Sequence, residues 1–280
     1  MAELASAGGG DGRVAAVSID YSDDELDAIA ELFRRPDLGG RRVRDPGEDV
    51  AGRAAARAAI EAATRGLVAR RAVALEGTEV RPRVRFIEPH ATLLGAFVGA
   101  DATASVRVER PGRTEVRALF ARDDVVVEQS SLPGQAIKRM VAHPRAEALG
   151  LLFDDLPCAP EAGDGPAGRV AHELTLTMLD RAERVLEQGS EPPSWLSSDL
   201  LDLLHARSGS ATIVVRRRHP GGIVLADRIS WMAAGTLGTW RVEPVGTQPS
   251  VTVRLAPATD DEIRRLLTAA WEHEPAYGAG

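Results

Sequence analysis

The 280-residue chain carries one plan twice. Leu93 to Arg110 aligns without a gap on Leu200 to Arg217. Leu93 faces Leu200, Leu94 faces Leu201, Ala104 faces Ala211, Val106 faces Ile213, Val108 faces Val215 and Arg110 faces Arg217. Phe97/Leu204 and Ser105/Thr212 are near matches. Each copy reads as a leucine-rich helical turn, a polar bend and a strand of apolar and arginine residues. Each continues through Pro-Gly (Pro111-Gly112; Pro220-Gly221) into more strand, then a helix starting near Gln135 or Asp260. The separation is far too long for a solenoid or propeller repeat. Agreement in order and strand register predicts a duplicated domain with pseudo-twofold shape.

The boundaries follow from this plan. Met1 to Gly12 is small, acidic and glycine-rich, and reads as a solvated tail rather than a signal peptide. The first α/β half spans 13–156 and the second 169–272. Pro157 to Gly168 (PCAPEAGDGPAG) reads as the linker, being rich in Pro, Gly and acid without apolar period. A short tail, 273–280, follows.

Local signals fill in the elements. Arg13 to Asp20 alternates as a strand. Ser22-Asp23-Asp24-Glu25 is a capping box, and its helix puts Leu26, Ile29, Leu32 and Phe33 on one face. Asp37 to Glu48 reads as a loop. Val50 to Arg65, nearly all alanine and arginine, predicts a helix that Gly66 closes in the left-handed conformation. Ala69 to Arg85 gives no clear pattern. Ala104 to Arg110 and Glu115 to Ala121 predict a hairpin, with a third strand at Val125 to Gln129. Gln135 to Phe153 and Val170 to Gln188 are expected to be helical, as is the shorter Trp195 to His205. Strands are expected at Ala211 to Arg217, Ile223 to Ile229, Gly238 to Val245 and Ser250 to Leu255. Thr259-Asp260-Asp261-Glu262 is a second capping box.

Composition excludes several classes of chemistry. A single cysteine, Cys158, forbids an internal disulfide and any CxxC site. Net charge is −7, and the one basic run, Arg216-Arg217-Arg218, lies in a predicted strand where side chains alternate. It reads as a solvated strand edge, with neither nucleic-acid nor membrane binding expected. Lys138 is the lone lysine, which points to a GC-rich genome such as an actinobacterial one. No GxSxG elbow and no GxxxxGK[ST] loop is present, and Lys138 falls in the predicted helix. The histidines (His90, His143, His172, His205, His219, His273) are scattered, and His172-Glu173 lacks the second histidine of a zinc motif. The acidic doublets Asp23-Asp24, Asp123-Asp124, Asp154-Asp155 and Asp260-Asp261 suit helix starts and turns. The four tryptophans, Trp195, Trp231, Trp240 and Trp271, are expected in the core. The chain is therefore read as a non-enzyme without metal or cofactor.

The order of elements resembles the EspG family, the cytosolic chaperones of type VII (ESX) secretion. The segments that carry it are RVAAVSIDYSDDELDAIAELF, RAAARAAIEAATRGLV, ATASVRVERP with EVRALFARDDVVVEQ, and LGTWRVEPV with PSVTVRLAPATDDEIRRLLTAAWE. They span most of residues 13 to 272. One departure is that the first half lacks, after Gln129, the extra strand that VTVRLAP supplies in the second. The resemblance implies an α+β fold: a central antiparallel sheet flanked by helical bundles, in two pseudo-twofold halves, without an active site. It implies binding of a helical secretion substrate, PE–PPE-like or a WXG-type hairpin, kept soluble in the cytoplasm and marked for export. It also places the hairpin tip Arg110-Pro111-Gly112-Arg113 toward the partner, where arginine suits carbonyl and carboxylate groups. The alternatives are an adaptor, or an enzyme whose site assembles from scattered residues such as Asp123, His172 and Arg217.

Overall fold

The computed structural model describes residues 17–33, 50–78, 81–158, 169–218, 224–245 and 252–272. It is an α+β protein in which ten strands form one antiparallel sheet, with a separate two-stranded hairpin. Chain contacts divide it into two compact units, Met1–Ser105 with Val116–Gly150, and Val106–Glu115 with Leu151–Gly280.

The first unit opens with β1 (Ser18–Ser22) and α1 (Asp23–Leu32). Ser22 forms the expected capping box: its hydroxyl accepts from the Glu25 amide at 3.1 Å, and Glu25 accepts from the Ser22 amide at 2.9 Å. Next come α2 (Val50–Ala69), the hairpin β2 (Val73–Thr78) and β3 (Arg81–Phe86), and α3 (His90–Gly99). Strands β4 (Ala102–Arg110), β5 (Arg113–Arg122), β6 (Val125–Ser131) and β7 (Ile137–Pro144) follow, then α4 (Arg145–Asp154). The core gathers Tyr21, Leu26, Ile29, Leu67, Leu93, Phe97, Phe120 and Met140, all under 3% exposed. Burial of that many large apolar groups, at about 1.5–3 kcal/mol each, drives the unit's packing.

The second unit begins with β8 (His172–Thr175), α5 (Leu176–Gln188) and α6 (Ser198–His205). Then come β9 (Gly209–Arg218), β10 (Val224–Ala233), a 3-10 turn (Gly235–Leu237), β11 (Thr239–Val245), β12 (Thr252–Ala258) and α7 (Asp260–Glu272). Leu200, Leu203, Leu204, Met232, Trp240, Val253 and Leu255 form one buried cluster. Ile263, Leu267, Ala270 and Trp271 are the buried stripe of α7. Trp231, Trp240 and Trp271 are core residues as expected; Trp195 is half-buried and packs against the same cluster.

The sheet order is β1-β7-β6-β5-β4-β9-β10-β11-β12-β8. Its halves read alike inward from either edge. In chain order, among the described residues, each half is also strand, helix, helix, four strands, helix, save that α2, β2 and β3 occur in the first alone.

Four expectations are corrected. The segment Gln135 to Phe153 is not one helix: Ile137–Pro144 is strand β7, and the helix starts at Arg145. Gly134 turns the chain at φ +70, and β7 pairs on one side with β6 and on the other with β1, so Lys138 lies on a strand opposite Tyr21. This strand is the one the first half was expected to lack. In Val170 to Gln188, His172–Thr175 pairs with β12 as β8, and Thr175 caps α5 by accepting from the Met178 amide at 3.2 Å. Gly66 does not end α2, which runs to Ala69 and buries Leu67; Arg71 takes the positive φ, +59. Arg216 and Arg217 lie on β9, an interior strand flanked by β4 and β10, not on a sheet edge. The unassigned stretch after Ala69 is the β2–β3 hairpin. Pro220-Gly221, His219, His273, both termini, Asp37 to Glu48 and linker residues 159–168 lie outside the described residues.

Candidate partner-binding surface

The β4–β5 tip is a two-residue turn. Pro111 supplies a fixed φ, and Gly112 takes φ +72, which glycine adopts without strain. Pro111, Gly112 and Arg113 are exposed. Arg110 and Arg113 share one carboxylate, Glu115, at 3.1 Å each. A guanidinium nitrogen of Arg110 also donates to the Asp155 carbonyl at the end of α4. Arg110 is therefore a brace as well as a surface group. Arg113, with its side chain 70% exposed, is the freer cation. Both belong to the second unit, as does the whole tip.

Beside the tip lies a polar network that sequence reasoning missed. Arg207, just after α6, donates to Glu183 of α5 at 2.5 Å and to Glu109 of β4 at 3.5 Å. Ser210 donates to Glu109 at 3.3 Å, and Arg107 pairs with it at 2.8 Å. Further along this strand face, Thr212 and Ser230 hydroxyls lie 3.0 Å apart, and Arg228 reaches Ser230 at 3.4 Å. The alternation of Ser210 and Thr212 against buried Ala211 and Ile213 was the signal that this end of β9 has a polar face. Nothing in the local sequence links Glu109 to Arg207, 98 residues later.

The scattered residues of the enzyme alternative do not all converge. His172 is on edge strand β8 and Arg217 on β9, with β10, β11 and β12 between them. Four strand steps separate them by about 19 Å. His172 stacks near Trp240, ring centroids 5.8 Å apart, and Arg217 pairs with Asp227 at 2.9 Å. Asp123 sits in the β5–β6 turn at φ +53, 82% exposed. Cys158 lies beside Asp260; desolvation first, then that carboxylate, push its thiol up to about 11, so it is protonated at neutral pH. The doublets serve as read: Asp23-Asp24 and Asp260-Asp261 lie in first turns of helices. Thr259 accepts from the Glu262 amide at 3.1 Å, while the Glu262 carboxylate turns to Arg241 at 2.9 Å. Among the described residues, no group of three or more His, Cys, Asp or Glu is arranged to hold a metal ion. No helix among them is long and apolar enough to cross a membrane.

No protein-family model matches the chain, and no curated protein matches it.

Proposed function

We propose that this chain is an EspG-like chaperone that binds one helical secretion substrate, PE–PPE-like or a related helical hairpin, in a soluble one-to-one complex. The observation that carries the reading is the doubled plan of the sheet. β1, β7, β6, β5 and β4 correspond in order to β8, β12, β11, β10 and β9, and α1, α3 and α4 correspond to α5, α6 and α7. Val106 is the fifth residue of β4 and Ile213 the fifth of β9; both are buried. This correspondence supports a duplicated, pseudo-twofold ancestor, the plan that the EspG resemblance implies. In this reading the β4–β5 tip, with Arg110, Pro111 and Arg113, contributes to the partner contact. An interface of standard size buries about 800 Å² on each side, enough to cover an aggregation-prone helical tip.

The test is co-expression with a helical-hairpin secretion substrate, a PE–PPE pair being the first choice. A rise in that protein's soluble yield supports the chaperone reading. Equal solubility with and without this chain removes it.

A further inference from the structure

Among the described residues, strands β2 and β3 pair with each other alone, outside the ten-stranded sheet. A lone two-stranded hairpin is marginal in water, so its attachment decides its order. Both ends of this hairpin return to one cluster inside the first unit. On the entering side, Arg70 directly follows α2, its amide donating to the Gly66 carbonyl at 3.0 Å. Its guanidinium lies 4.7 Å over the Tyr21 ring, pairs with Glu25 at 3.3 Å and donates to the Asp20 carbonyl at 3.3 Å. On the leaving side, His90 opens α3, with its Nδ1 2.7 Å from the Tyr21 hydroxyl. Between the two, the Ile87 amide donates to the Ala72 carbonyl at 3.1 Å and closes the hairpin's base. Tyr21 is fully buried and His90 nearly so.

The charged groups around His90 come from several elements. Arg70 stands at the end of α2 and Glu25 in the first turn of α1. Glu88, just before α3, accepts from the Thr92 hydroxyl at 3.3 Å. Lys138 of β7, opposite Tyr21 in register, turns to Ser131 at 2.7 Å and Asp23 at 3.9 Å, and Arg139 pairs with Asp20 at 3.0 Å. His143 of β7 lies 3.6 Å from Glu128 of β6, which also meets Arg117. Strand alternation sends Arg83 and Arg85 of β3 to the face away from Phe86, and Arg85 pairs there with Glu76 at 3.0 Å. Burial first, and then Arg70, hold the imidazole neutral against the opposing pull of Glu88.

A protonated imidazole donates from both nitrogens. The Tyr21 hydroxyl then loses its acceptor, and a second cation stands near the Arg70 guanidinium without water. We infer that Tyr21, His90 and Arg70 form an acid-sensitive latch: proton uptake at His90 releases the base of the β2–β3 hairpin and the end of α2 while the ten-stranded sheet stays paired. The hairpin is the piece that yields because it shares no ladder with that sheet. Val73 in the core and the Phe86 ring, 5.0 Å from Phe33, still anchor it. The latch therefore sets how often the base opens and does not unfold the unit. An opened His90 takes its proton near the ordinary value of about 6.5, before the closed form does. Closure is thus favoured above that pH and lost below it, by at most about tenfold in the opening equilibrium per pH unit.

The inference is independent of the chaperone reading and is tested on the full chain alone. Amide hydrogen exchange is measured at pH 7.5 and pH 5.5 and corrected for the intrinsic pH dependence of exchange. Amides of residues 67–76 and 84–91 are expected to open at least about threefold more often at the lower pH, with those of β6 and β10 unchanged. His90→Gln is expected to flatten that difference. Should that variant fail to fold, Arg70→Gln is expected to shrink it, because one of the causes holding the imidazole neutral is gone. An equal acceleration in β6 and β10, no acceleration at the hairpin base, or an undiminished difference in the variants overturns the inference.

Discussion

The Tyr21 hydroxyl lies 2.7 Å from Nδ1 of His90, with both residues buried in the first unit. The tyrosine is held protonated by burial, so it donates and the imidazole accepts. The guanidinium of Arg70 sits 4.7 Å over the Tyr21 ring and pairs with Glu25 at 3.3 Å. Desolvation, then Arg70, lower the His90 pKa, against an opposing pull from Glu88. A lowered folded-state value means that the unfolded chain takes the proton first. The stability held by neutral His90 is thus present above about pH 6.5 and is lost as pH falls below it. Urea midpoints should drop between pH 7 and 5, and His90→Gln should flatten that drop. An equal drop in the variant would assign the acid sensitivity elsewhere.

Tyr21→Phe removes the donor and leaves a buried ring nitrogen unpaired. The expected cost is about 1–3 kcal/mol in chemical unfolding. A cost near zero would mean that water replaces the hydroxyl.

Gly209 opens β9 under tight constraint. A Cβ there would meet Pro157 Cβ at 2.9 Å and the Glu109 carbonyl at 3.0 Å. Pro157 in turn is pinned, since its carbonyl accepts from Trp231 Nε1 at 3.0 Å. Gly209→Ala should therefore destabilise the protein by about 1–3 kcal/mol, read as a lower melting temperature. Unchanged melting would show that Pro157 shifts freely.

At the hairpin tip the two arginines should separate. Arg113→Ala is expected to weaken partner binding with melting unchanged, because its exposed pair with Glu115 contributes at most about 1 kcal/mol. Arg110→Ala should lower both, as it also releases the Asp155 carbonyl. Equal binding by both variants and the parent would remove the tip from the contact.

Much of the fold was legible because its signals are local. The Ser22 box, the Pro111-Gly112 hairpin and the apolar stripe of α7 each sit within a few residues. The misread strands depended on distant partners. Ile137 to Pro144 contains Lys138, Arg139 and Met140, good helix formers, and becomes a strand through pairing with Ser18 to Ser22. Leu174, Met178, Ala182 and Val185 keep a helical spacing across the boundary that Thr175 makes, so β8 was hidden in its helix. The tip was visible as a turn, but the Glu115 and Asp155 contacts that set its chemistry were not. Glu109 and Arg207 carried no sequence signal, because strand and helix ends bring them together from 98 residues apart.

The most direct measurement is size-exclusion chromatography with light scattering on the co-expressed pair. The chaperone reading predicts one peak with the mass of one copy of each chain, persisting from low to high salt. Two separate peaks at both salt concentrations, with the substrate soluble by itself, would contradict it.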